Sequence, residues 1–246
     1  AKIRQSGNID QQFLHLDLID GQRHASASIG LSKDVKNDQK IIEENIKKLK
    51  SQIRVSQNDP YLMVNETCHN TESVSPSQGF DKEWIISSIL KEASGHDLVG
   101  YYLAGPIFKG FANSSGQVNW FEKSSMLADL SIYHSGDKAV KFGYADTYFN
   151  PDAFAKKIEQ AKQGIKLFNT EAKTIAPGSY RVYFSPAAVQ EIMTMLNWGG
   201  FSRKALEVKN SPLVPLLTGH KELSKQFSIS ENIAQGVGPN FQSQGF

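Results

Sequence analysis

Few residues in this chain stand at spacings that support chemistry. Gly105-Pro-Ile-Phe-Lys-Gly110 has the two-glycine spacing of a phosphate-binding loop. Phe111 and Ala112 stand where that loop needs a lysine to neutralise phosphate and a hydroxyl to hold magnesium, so the glycines read instead as strand bends. Gly236-Val-Gly238 lacks the third glycine and a preceding strand. The six histidines (His15, His24, His69, His96, His134 and His220) are scattered, and no two lie one helical turn apart. Cys68-His69 supplies two donors where a structural zinc needs four. There is no Gly-x-Ser-x-Gly nucleophile turn, and Cys68 lies in a polar stretch without an activating partner. The run Phe111-Ala-Asn-Ser-Ser-Gly116 reads as an Asn/Ser turn that satisfies its own backbone, with a binding loop as the alternative. Trp120, Trp198 and Phe201 are candidates for an aromatic platform, or for ordinary packing.

The elements that would position these residues follow from hydrophobic periodicity. Leu14, Leu16 and Leu18 alternate with His15, Asp17 and Ile19, Asp20-Gly21 marks a turn, and Ala25, Ala27, Ile29 and Leu31 alternate on the return, which predicts a β-hairpin. Val35, Ile42, Ile46, Leu49 and Ile53 share one face of a helix that ends before Asn58-Asp59-Pro60. Residues 66–80 are poor in aliphatic side chains and read as a surface loop. A short helix from Asp81 buries Trp84, Ile85, Ile89 and Leu90. Leu98 to Phe149 forms an antiparallel meander with turns at Ser114-Ser115-Gly116 and Ser135-Gly136-Asp137. Asn150-Pro151 caps a helix that buries Phe154, Ile158, Ala161, Ile165 and Phe168. Residues 169–179 form a connection. Tyr180–Phe184 reads as a strand and Ser185-Pro186 as the start of a helix with Val189, Ile192, Met193 and Leu196 on its apolar face. The fold class is α+β: an N-terminal α/β domain over 1–170, with antiparallel strands and packed helices, then an incomplete, β-rich C-terminal domain over 171–246.

Composition narrows the function classes. In 246 residues a formal net charge of +2 gives no dense basic surface to replace phosphate counterions, so direct nucleic-acid binding is not expected. One cysteine excludes an intrachain disulfide and fits a reducing compartment. No apolar run approaches the roughly 18–20 residues that span a bilayer, and Ala1-Lys2-Ile3-Arg4 opens no signal-peptide core. A soluble, cytoplasmic protein without a membrane partner is expected.

Several ordered stretches carry a resemblance: Arg23-His-Ala-Ser-Ala-Ser28, Asp59-Pro-Tyr-Leu62, Asp97-Leu-Val-Gly100, Lys109-Gly-Phe-Ala-Asn-Ser114, Asp137-Lys-Ala-Val-Lys141, Pro177-Gly-Ser-Tyr-Arg181, Trp198-Gly-Gly-Phe-Ser202 and Phe241 to Phe246. In their order the chain resembles the TldD/PmbA family, also called modulators of DNA gyrase and described as metalloproteases, and most of all its PmbA/TldE-type branch. The resemblance implies a dimer and a chain that continues beyond Phe246. In the TldD branch a helix early in the second domain carries His-Glu-x-x-x-His. Here Gln190, Glu191 and Met195 fall on that motif, so Glu191 is its remnant, no catalytic residue transfers, and no metal or cofactor is expected in this chain. The zinc would belong to a TldD-type partner. The implied role is a non-metal-binding subunit, in a heterodimer or homodimer, that helps a peptidase process unfolded peptides. Peptide would add as a strand at the edge around Lys109, Gly110, Phe111, Asn113 and Ser114, or at the 180–184 strand. The alternatives are an active metallopeptidase with its ligands in a missing C-terminal part, and a binding protein that modulates gyrase.

Overall fold

The computed structural model describes residues 2–75 and 80–246. The chain is an α+β protein in two compact units, Ile3–Val64 and Asn65–Phe246. The boundary expected at residue 170 falls inside the second of these.

In the first unit β1 (Phe13–Asp20) and β2 (Arg23–Gly30) pair antiparallel, with Leu16 opposite Ala27 and Leu18 opposite Ala25. The two-residue connection has glycine at its first position, Gly21, at φ +62°, as a tight hairpin turn requires. Helix α1 (Val35–Gln52) packs on this ribbon and, with the cap Ile53, closes a small core of Ile29, Leu49 and Ile53. Val35, expected on the apolar face, is instead exposed in the first turn. That turn is held by carboxylates. Asp34 Oδ1 accepts from the backbone N–H groups of Lys36 and Asn37, satisfying two otherwise unpaired donors. Asp38 folds back to accept from the Ser32 N–H at 2.8 Å, the Ser32 hydroxyl at 2.7 Å and the Lys33 N–H at 3.1 Å.

In the second unit β3 (Thr71–Val74) precedes α2 (Lys82–Glu92), and β4 (Asp97–Ala112), β5 (Val118–Tyr133) and β6 (Ala139–Asp146) follow as the expected meander. β5 is central. One of its edges pairs with all of β4; the other pairs in parallel with β3 over Asn119–Glu122 and antiparallel with β6 over Met126–Tyr133. The surface loop expected over 66–80 therefore contains a strand, because pairing to β5 outweighs a composition poor in strand formers. Residues 76–79 of that expected loop lie outside the described residues. Helix α3 (Pro151–Lys166) opens on the Asn150 cap, whose Oδ1 accepts from the Ala153 N–H.

The two long strands keep one unbroken register, yet their buried face changes along their length. Met126, Ala128, Leu130 and Ile132 of β5 face α2 and α3, where Ile85, Ile89, Phe154, Ile158, Ala161 and Ile165 complete the main core. Toward the other end the buried residues are Gln117, just before β5, and Asn119 and Phe121 within it, on the opposite face. A right-handed twist accumulated over sixteen residues lets a different layer cover each end. Gly100 of β4 stands against Leu130 at φ +150°, where a Cβ would lie 2.1 Å from the Asp129 carbonyl oxygen.

Two further expectations are corrected. Trp84 is half exposed at the rim, edge-on to Phe149 with ring centroids 5.2 Å apart, instead of buried. Tyr180–Phe184 forms no strand, because no neighbouring strand offers it a ladder; Tyr183 is 87% exposed. The helix after it does form, as α4 (Pro186–Leu196), capped by the Ser185 hydroxyl, followed by short α5 (Arg203–Glu207) and α6 (Val214–Leu217). Among the described residues no strand lies beyond Asp146, and no helix is long and apolar enough to cross a membrane.

Phe154→Ala should lower the unfolding free energy by about 3–5 kcal/mol in a urea titration, since a fully buried ring would leave a cavity. The three donors around Asp38, the Ser32 backbone N–H foremost, hold its carboxyl below the ordinary range. Its contribution is therefore complete above the unfolded-state value of about 3.9 and is lost as pH falls through the lower folded value. The protection factors of the Ser32 and Lys33 amides, referred to the intrinsic rate at each pH, should fall over that acidic window, and an Asp38→Asn variant should flatten the dependence.

Candidate functional site

The proposed binding residues sit at the far end of the β4–β5 hairpin. Lys109, Gly110 and Phe111 end β4, and Asn113 and Ser114 belong to the loop that joins it to β5. Asn113 Oδ1 accepts from the backbone N–H groups of Ser115 and Gln117, each at 3.0 Å, and the Asn113 N–H donates to the Gln117 carbonyl. Gly116 closes the turn at φ +92°. Asn113 is thus occupied in shaping the turn. Strand alternation separates the others: Lys109 and Phe111 share a face with Asn119 and Phe121, and Gly110 belongs to the opposite face.

On the Phe111 face lies a buried amide network that the periodicity does not single out. Gln117 and Asn119 are almost wholly buried. Gln117 Nε2 donates to Asn119 Oδ1 and to the Gly245 carbonyl, each at 2.8 Å. Asn65 Nδ2 donates to the same carbonyl at 2.5 Å and to Gln117 Oε1 at 3.1 Å. Asn119 Nδ2 donates to the His69 carbonyl and the Thr71 hydroxyl, and that hydroxyl bonds Asn240 Oδ1. Lys123 Nζ adds a bond to the Gly236 carbonyl at 2.7 Å. The segment from Gly236 to Phe246 is consequently fastened over this end of the sheet by side chains. Gly245 has φ +81°, and a Cβ there would lie 2.5 Å from the Phe111 ring, so no other residue fits. The signal in the sequence was two carboxamides in the alternation that leads to Phe121, positions that an apolar side chain would ordinarily fill.

The opposite face is open. Phe108 and Trp120 are 52% and 41% exposed and lie 6.2 Å apart, with Val74, Val118, Glu72 and Glu122 around them. Trp120 is Gly110's partner across the ladder, and a Cβ on Gly110 would stand 3.0 Å from its ring, so the glycine gives the indole its place.

Beside this face runs an unpaired strand edge. Among the described residues β4 pairs with β5 alone. The Asn113 N–H bonds back to Gln117, so odd-numbered residues of β4 direct their backbone groups to β5 and even-numbered ones direct theirs outward. Pro106 agrees with this assignment: its missing N–H falls on the open edge, where proline is tolerated in a sheet. Beyond it the backbone N–H and C=O groups of Phe108, Gly110 and Ala112 meet no partner among the described residues.

Glu191 lies on α4 with Gln190 and Met195 beside it, as the sequence places them. Its carboxylate is 3.7 Å from Lys141 Nζ of β6, which also pairs with Asp129 at 3.3 Å. Hydrogen bonding and charge from Asp129, with a smaller part from Glu191, hold the Lys141 ammonium above its usual range. A carboxamide, a thioether and a carboxylate already engaged by a lysine are not a zinc ligand set. Among the described residues no group of three or more His, Cys, Asp or Glu side chains is placed to hold a metal ion. Cys68 is exposed, with its thiol against the Ser115 carbonyl. No known family model, curated protein or solved structure matches the chain.

Gly245→Ala should release the fastened segment. A left-handed alanine costs about 1–2 kcal/mol before any clash with Phe111, so exchange of the Gln242 and Gly245 amides should rise at least roughly tenfold. Mass-resolved hydrogen exchange reads this directly, with the α3 amides as an unchanged control.

Proposed function

We propose that this chain is a peptide-holding, non-metal-binding subunit of the TldE/PmbA type, acting in the cytoplasm beside a TldD-type zinc peptidase. Its support is the ordered set of matching stretches together with Gln190 and Met195 at the ligand positions of the motif on α4. The observation that carries the peptide-holding role is the open edge of β4. A row of unpaired backbone donors and acceptors on a sheet is a template for an extended chain, and strand addition reads backbone before side chains. That suits unfolded peptides of varied sequence. Zinc in the partner would supply the Lewis acid and the activated water; this chain would orient the substrate's backbone.

Two measurements test this. The purified protein should bind no stoichiometric zinc and cleave no peptide alone, yet raise cleavage of an unfolded peptide when mixed with a TldD-type protein. Zinc and activity in the isolated chain would overturn the subunit role. A bound peptide N-methylated at alternate positions should lose at least about tenfold in affinity when the blocked amides face β4, since each lost bond leaves a carbonyl unpaired. Equal affinity for both methylation registers would overturn strand addition.

A further inference from the structure

We propose that the exposed face around Trp120 makes the β4 edge selective: it reads a lysine or arginine side chain in the peptide that pairs beside Gly110. The inference rests on the strand-addition reading and adds to it the class of peptide preferred. The register supplies the geometry. Gly110 directs its backbone groups to the open edge, and a residue paired opposite it projects its side chain to the same face as Gly110 itself. Gly110 has no side chain to obstruct, and the indole of Trp120 lies directly over it. A long side chain from the added strand therefore reaches over Gly110 to that ring, whose Cε3 and Cζ3 stand nearest the glycine. Phe108, tilted at 36° to the indole, forms the second wall.

Charge selects among long side chains. The strand residues that share this face are Phe108, Gly110 and Ala112 of β4, Val118, Trp120 and Glu122 of β5, and Glu72 and Val74 of β3. Two are carboxylates and none is basic. Glu122 is opposite Phe108, and Glu72 is opposite Trp120. The lysines of the same hairpin end, Lys109 and Lys123, lie on the other face, and Lys123 is bonded to Gly236. An ammonium or guanidinium gains from the ring quadrupole and from both carboxylates, while an acidic side chain is repelled. A second copy of this chain adding through its own β4 would place Phe108, Gly110 or Ala112 on this face, which offers no cation; the chemistry favours a separate peptide.

The test uses the full chain and fluorescently labelled heptapeptides, Thr-Val-Thr-Xaa-Thr-Val-Thr, with arginine, lysine, norleucine or glutamate at the centre. Fluorescence polarisation should place arginine and lysine about five- to tenfold tighter than norleucine, and glutamate weakest. Glu72→Gln with Glu122→Gln should narrow the arginine preference and leave norleucine binding unchanged; Trp120→Leu, checked for native circular dichroism, should remove most of it. Equal binding of arginine and norleucine peptides would overturn the cation selectivity while strand addition stands. Binding of none would overturn both. Sedimentation showing a dimer that Ala112→Pro, a proline on the open edge, dissolves would assign the edge to a second copy and overturn the proposal.

Discussion

The pairing of β4 with β5 is the constraint on which the larger unit depends. Sixteen residues face sixteen without a break in register, and every other element of that sheet attaches to β5 on its remaining edge. A ladder of that length cannot stay flat, and its twist presents opposite faces at its two ends. One end meets α2 and α3 through aliphatic and aromatic side chains. The other meets an irregular segment through carboxamides. The two coverings differ in chemistry because the helices bring side chains, whereas the segment brings backbone carbonyls that need donors.

This division explains where binding capacity remains. Among the described residues β5 has both edges paired and β4 has one. Natural sheets blunt such edges with proline or charge, and Pro106 does so in the middle of β4 while leaving Phe108, Gly110 and Ala112 free. The exposed aromatic pair and its carboxylates adjoin that same stretch. The surface proposed for recognition lies where the second covering is on the opposite face and the helices do not reach.

Much of this was legible in the residues. Period-two alternation around Asp20-Gly21 marks the first hairpin, and Asn150-Pro151 marks α3, because both signals are local. What escaped depends on partners distant in the chain. Thr71–Val74 becomes a strand only because Asn119–Glu122 lies alongside, and its composition argues for a loop. Tyr180–Phe184 shows the converse: strand-forming residues without a ladder stay irregular. Gln117 and Asn119 look like hairpin polar residues until Asn65 and Gly245 converge on them. Pro106 was the one local clue to an open edge, since proline within a run of strand formers belongs at the side of a sheet. The aromatic platform imagined from Trp120, Trp198 and Phe201 has a different membership, with Phe108 as the partner of Trp120.

The bond from Asn65 to the Gly245 carbonyl joins residues 180 positions apart. Closing so long a loop is entropically costly, and contacts of that separation form after local ones. A chain lacking the residues from Gly236 onward would hold the hairpin, its helices and their shared core, but would leave the Gln117 carboxamide without its Gly245 partner. The seclusion of the Gln117 and Asn119 carboxamides from water thus depends on a stretch that lies far from them in the chain.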